Sequence, residues 1–127
     1  MSNVMESPFK GESGVRRLVN GTRNSVAGLS EAIRHEGAFR MELVCAAIAI
    51  PVALWLAGTA VERALLVGSV LLVLVVELVN SAIEAAVDRI SLENHHLAKR
   101  AKDIGSAAVM MSIANAAVVW LLVVVVR

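Results

Sequence analysis

An uncharged apolar run, Ala64 to Val76, leads directly into Glu77-Leu-Val-Asn80-Ser81-Ala-Ile-Glu84-Ala-Ala-Val-Asp88. At about 100° per residue, Glu77, Asn80, Ser81, Glu84 and Asp88 fall on one stripe of a helix. The remaining faces carry Leu78, Val79, Ile83, Ala86 and Val87, which suit lipid or a packed helix. A charged side chain at mid-bilayer costs roughly 2.5–3.5 kcal/mol on insertion scales. Two glutamates one heptad apart, with an amide between them, are therefore expected to form a polar site facing other helices. The plainer alternative is a helix that emerges into water near Asn80 and leaves Glu84 and Asp88 solvated.

The chain of 127 residues is long enough for one domain, and it is 57% hydrophobic but only 3% aromatic. Three apolar runs approach the length of a bilayer core, about 43–57, 64–79 and 104–126. In Val118–Val126 only Trp120 carries a polar side-chain atom, which a water-soluble core would not explain. The fold expected is all-α and membrane-integral, with a surface helix at about 15–35 and spans at about 40–58, 62–88 and 102–126. Residues 1–14 read as a mobile tail, and 15–127 as a single domain. The basic residues sort by side: Lys10, Arg16, Arg17, Arg23, Arg34 and Arg40 precede the first span, and Arg89, Lys99, Arg100 and Lys102 follow the second. The positive-inside bias places the N-terminus in the cytoplasm and the C-terminus outside. The polar N-terminal stretch has no apolar core of a signal peptide. Cys45 stands alone and reads as a small packing residue.

Val15, Leu18, Val19, Thr22, Val26, Leu29 and Ile33 recur at steps of three and four. That pattern predicts an amphipathic helix on the membrane surface, with Gly21 and Gly28 as candidate breaks. Glu36 and Arg40 are spaced as an (i, i+4) ion pair. The same juxtamembrane glutamate could hold a hard divalent cation beside a phosphate. His95 and His96 invite a zinc reading, but His35 is the one other histidine and no structural-site spacing is present, so solvated loop residues are expected. Gly58–Arg63 is long enough only for a turn. Lys102-Asp103 opens the last helix, where both phosphate chemistry and helix-end snorkelling would suit it. Small residues from Gly105 to Ala117 allow close helix packing. The chain has no internal repeat, Walker-type phosphate loop, nucleic-acid motif or hydrolase triad.

Three segments, Glu36-Gly-Ala-Phe-Arg-Met-Glu42, Glu77-Leu-Val-Asn-Ser-Ala-Ile-Glu-Ala-Ala-Val-Asp-Arg89 and Arg100-Ala-Lys-Asp-Ile-Gly-Ser-Ala-Ala108, resemble the prokaryotic diacylglycerol kinase family. The resemblance runs from about Arg17 to the end. It implies a homotrimer of surface helix plus three spans, in the bacterial inner membrane, with active sites shared between subunits. It implies transfer of the γ-phosphoryl of Mg-ATP to the primary hydroxyl of diacylglycerol, giving phosphatidic acid, or to undecaprenol in one branch of the family. By matching position, Glu77 would be the general base, and Glu36 and Glu84 would hold Mg²⁺. Arg17, Asn24, Glu36, Asn80, Glu84, Glu93, Asn94, His95, Lys102 and Asp103 would bind the nucleotide. The lipid would meet Arg17, Ser25, Ser30, Glu31, Ala32, Ile33, Ala38, Phe39, Arg40, Met41, Glu42, Trp55, Arg63, Glu77, Ser106 and Trp120.

The sequence departs from that pattern where relatives often place aromatics: positions 24, 26 and 94 are Asn, Val and Asn, and there is no tyrosine. Two readings compete with the kinase. A small proton-coupled transporter would use Glu77 as its intramembrane proton site, but three spans and carboxylates gathered at one boundary argue against it. A membrane assembly subunit would use the polar stripe only to join helices, and Glu77→Gln would then leave the chain unchanged.

Overall fold

The computed structural model describes residues 13–90 and 95–127. Helix α1 (Gly14–His35) is joined through Glu36 to α2 (Gly37–Leu56), followed by α3 (Ala60–Ile90) and α4 (His96–Trp120). The last turns, Leu121–Val126, widen to a π-helix that continues α4. Three helical stretches, Gly37–Leu56, Ala60–Ile90 and His96–Val126, are long and apolar enough to cross a membrane. The expected surface helix and three spans are therefore all present as helices. The tail read at residues 1–14 lies outside the described residues as far as residue 12.

Helix α1 begins where Ser13 Oγ accepts from the Arg16 amide. It passes through Gly21 and Gly28 without the break that the sequence suggests. Thr22 and Ser25 donate to the carbonyls of Leu18 and Gly21, so their hydroxyls stay within the helix. Its apolar stripe remains outside the bundle, with Val15 at 76% and Leu18 at 71% exposure. Glu36 is extended (φ −112°, ψ 102°) and turns the chain from α1 into α2.

The turn between α2 and α3 is built from its own side chains. Thr59 Oγ1 accepts from the Glu62 amide, and Glu62 Oε2 accepts from the Gly58 amide at 2.6 Å. The arrangement resembles a capping box, with the glutamate reaching the amide one residue before the cap residue Thr59. Arg127 reaches back from the chain end, donating to the Leu56 carbonyl at 2.6 Å and lying 3.6 Å from Glu62. Arg63 donates to the carbonyls of Leu54 and Ala57. The last carbonyls of α2, which have no intrahelical partner, are thus held by two arginines. Ala53, Ala57 and Leu66 form the buried core at this end, under Val119, Trp120 and Val123.

At the opposite end α4 starts at His96, earlier than the expected 102. His95 is exposed and lies just outside the helix, as expected of a loop residue, and it also has a structural part. Its Nδ1 accepts from the Leu97 amide and caps the helix, while its ring stacks on His96 at 4.5 Å. Helix α4 packs along α3, and it comes close to Asn80 at Gly105. A β-carbon there would collide with Asn80 Oδ1 and lie 3.2 Å from its Cγ. Only a residue without a side chain lets α4 lie this near Asn80. Gly105→Ala should lower unfolding stability by about 1–3 kcal/mol through overpacking. Gly68→Ala, where a methyl meets nothing within 4 Å, should be neutral or stabilising. Denaturant titration of both variants in micelles measures the contrast.

Candidate functional site

The polar stripe of α3 faces inward from Glu77 to Glu84, while Asp88 at its end is exposed. Glu77 is 6% exposed and Asn80 7% exposed. Glu84 is half-buried one turn further on and accepts from Asn80 Nδ2 at 3.4 Å. Glu36, held at the α1–α2 elbow, and Glu84 both act electrostatically on Glu77. Glu77 in turn acts on Glu42, which stands on α2. Four carboxylates from three elements therefore converge beside the elbow.

None of these four takes part in an ion pair among the described residues. Arg40, expected to pair with Glu36, instead donates to the carbonyls of Ile33 and Arg34 at 2.9 and 3.0 Å. It closes the C-terminal end of α1, where the orphan carbonyls attract a cation. Lys102 Nζ meets Asp88 Oδ1 at 2.5 Å, and its charge extends to Glu84. Lys99 pairs with Asp103 at 2.6 Å. The cluster is thus rich in hard oxygen donors and short of positive charge. Among the described residues no three His, Cys, Asp or Glu side chains are arranged to hold a metal alone. A Mg²⁺ ion needs no such set, because it is commonly held by one or two carboxylates together with substrate phosphates and water.

A cavity of about 640 Å³ opens between α1 and α3, next to the cluster. Its α1 wall includes Ser25, Glu31, Ala32 and Glu36, all of them residues picked from the sequence. Its α3 wall is Leu78, Ser81, Ala82 and Ala85, which were not. Ser81 lay on the stripe in the sequence but no role was attached to it. Three buried polar atoms at this end have no hydrogen-bond partner: Glu42 Oε2, Asn80 Oδ1 and Ser81 Oγ. Leaving such a group unpaired costs about 1–3 kcal/mol.

The other expected contacts are dispersed. Arg17 and Asn24 are exposed on α1, and Arg17 lines a shallower cleft that Ser25 also borders. Ser30, Ile33, Ala38 and Ser106 are exposed, and Met41 is 70% exposed, whereas Phe39 is 1% exposed and packed inside. Glu31 pairs with His35 at 3.1 Å. Glu93 and Asn94 lie outside the described residues. Trp55, Arg63 and Trp120 gather at the far end of the bundle. Arg63 precedes Glu77 by about 14 residues, or about 21 Å of helix at 1.5 Å per residue.

Residues 23–124 match the model of the family described as prokaryotic diacylglycerol kinase. A diacylglycerol kinase of Pseudomonas aeruginosa is 50% identical over 114 residues, covering 90% of this chain and 93% of its own. One of Escherichia coli is 47% identical, covering 85% and 88%, and one of Helicobacter pylori is 40% identical, covering 84% of each.

The Lys102–Asp88 pair leaves both side chains about half exposed, and exposed pairs contribute about 0–1 kcal/mol. Asp88→Asn should therefore shift the thermal unfolding midpoint in micelles by no more than a few degrees. A larger loss would mean that the pair holds α3 to α4.

Proposed function

The chain belongs to the prokaryotic diacylglycerol kinase family, and we infer that it transfers the γ-phosphoryl of ATP to the free hydroxyl of diacylglycerol. The observation that carries the site assignment is the convergence of Glu36, Glu42, Glu77 and Glu84 with no cation paired to them among the described residues, beside a cavity that an apolar substrate can enter.

Glu77 is proposed as the general base. It is nearly inaccessible and stands at the depth where a lipid hydroxyl lies, so it can take the hydroxyl proton as the oxygen attacks phosphorus. Such positioned proton transfer contributes about 10²–10⁴-fold in rate. Glu36 and Glu84 are proposed to hold Mg²⁺ together with the ATP phosphates. The bound ion supplies charge neutralisation for the phosphoryl oxygens. Lys102, freed from Asp88 or reaching past it, would face the same phosphates, and Asn80 would orient Glu84. Asp103, Asn24, Arg17, His95, Glu93 and Asn94 are proposed nucleotide contacts. The acyl chains would run along the bundle between the cavity and Trp55, Arg63 and Trp120, which accounts for expected lipid contacts a helix length apart.

A homotrimer with shared sites is proposed, with the N-terminus cytoplasmic and the C-terminus outside the bacterial inner membrane. Two features support association. Only 6% of the most apolar window in the third span is buried within the chain. Asn115, midway along that span, is exposed on its outer face, and hydrocarbon cannot satisfy its amide. A neighbouring subunit could.

Transfer of labelled γ-phosphate in mixed micelles, with diacylglycerol and undecaprenol offered side by side, tests the reading. The wild type should phosphorylate diacylglycerol, and Glu77→Gln should lose about 10²-fold or more while remaining assembled. A Glu77→Gln variant as active as the wild type would remove the residue from the mechanism. Glu84→Gln should raise the Mg²⁺ concentration for half-maximal activity by about tenfold or more, the usual order for a lost ligand contact. An unchanged Mg²⁺ titration would take Glu84 out of the metal site.

A further inference from the structure

Four helical hydroxyls show what such a group ordinarily does in this molecule. Thr22, Ser25, Ser69 and Ser112 each donate to a carbonyl three or four residues earlier. That back-bond satisfies a hydroxyl wherever water or another partner is lacking. Ser81 is the exception among the buried ones. Its Oγ is inaccessible to solvent, yet it neither turns back onto its own helix nor meets another side chain.

Its place gives the exception a meaning. Ser81 follows Glu77 by four residues and precedes Glu84 by three, so it neighbours both on one helix face. The same residue forms part of the α3 wall of the 640 Å³ cavity, opposite Ser25 and Ala32 and near Glu36. The rest of that wall, Leu78, Ala82 and Ala85, is apolar and offers an alcohol no hydrogen bond. A substrate hydroxyl in the cavity has two lone pairs on oxygen, and the O–H pair returns to it as the proton passes to Glu77. One pair attacks phosphorus, and the oxygen can still accept a hydrogen bond from a donor that fixes its position.

We propose that Ser81 is a substrate-contacting residue whose Oγ–H donates to the acceptor hydroxyl oxygen of the lipid and holds it between Glu77 and the γ-phosphoryl group. In the step it serves, the lipid oxygen forms a bond to Pγ. The bond from Pγ to the β–γ bridging oxygen breaks, ADP leaves with that electron pair, and the hydroxyl proton passes to Glu77. Ser81 gains and loses nothing; it fixes the direction of attack. Near-attack geometry of this kind is worth large factors when lost. The proposal rests on the lipid-kinase reading and adds a residue to it.

Steady-state kinetics in mixed micelles, with diacylglycerol and ATP varied separately, test it on Ser81→Ala and Ser81→Thr. Ser81→Ala should lower kcat/KM for diacylglycerol by about 10–100-fold and leave the KM for ATP within about twofold. Ser81→Thr, which keeps the hydroxyl, should recover most of the loss. The thermal midpoint of Ser81→Ala should equal or exceed that of the wild type, because the alanine has no unpaired buried hydroxyl. Equal activity of Ser81→Ala and wild type, equal loss in both variants, or a loss that tracks a lower midpoint or a raised ATP KM would each overturn the proposal. Failure of the wild type to phosphorylate diacylglycerol would instead overturn the underlying kinase reading, so the two failures are distinct.

Discussion

A carboxylate between helices in a low-dielectric setting must find a counter-charge, take up a proton or keep contact with water. Glu77 is buried among three further glutamates, and none of them is paired with a cation among the described residues. Self-repulsion of this kind opposes folding, so the helices that carry these residues must be held together by something else. Much of that hold comes from the opposite end. There Arg63 and Arg127 take up the last carbonyls of α2, Glu62 and Thr59 close the turn, and Ala53, Ala57 and Leu66 pack. The bundle is tied at one end and is left electrostatically unsatisfied at the other, where the substrate complex is proposed to bind.

That division also orders the backbone. Gly105 lets α4 approach Asn80, which places the start of α4 and its Lys102 within reach of Glu84. Glu36 occupies the single extended residue between α1 and α2, so its side chain is set by the elbow and does not follow either helical register. Arg40 fixes that elbow by taking the carbonyls of Ile33 and Arg34. A glutamate at a helix junction follows neither helical register, and from there Glu36 lies close enough to act on Glu77 of α3.

Much of this was legible in the residues. Apolar run length gave the three spans, the three–four spacing gave α1, and the stripe on α3 gave the inward face of Glu77, Asn80 and Glu84. What escaped was whatever depends on backbone carbonyls or on distant chain segments. Glu36 and Arg40 have ideal spacing for an ion pair, but the end of α1 offered Arg40 two carbonyl acceptors, six and seven residues before it. Gly21 and Gly28 are weak helix formers by propensity, yet α1 runs through them because its stripe and its end cap outweigh about 1 kcal/mol per glycine. Nothing in the order of residues places Arg127 beside Leu56. His95 and His96 looked like loop residues because a cap is recognised only once the helix start is known.

The lipid wall shows the same limit. Residues on α1 could be picked by matching position, but a cavity has two sides and the second is made by α3. Ser81 stood on the polar stripe from the outset, and periodicity alone gave it no role that a solvated or back-bonded serine would not also have. Only the contrast with the more deeply buried Ser69 and Ser112, which fold onto their own carbonyls, marks its inaccessible hydroxyl as unused. A buried donor left free beside a buried carboxylate is costly to keep. The structural alternative, alanine, would fill the same space without that cost. The presence of serine at this position is therefore better explained by a contact made when substrate is bound than by the packing of the helices.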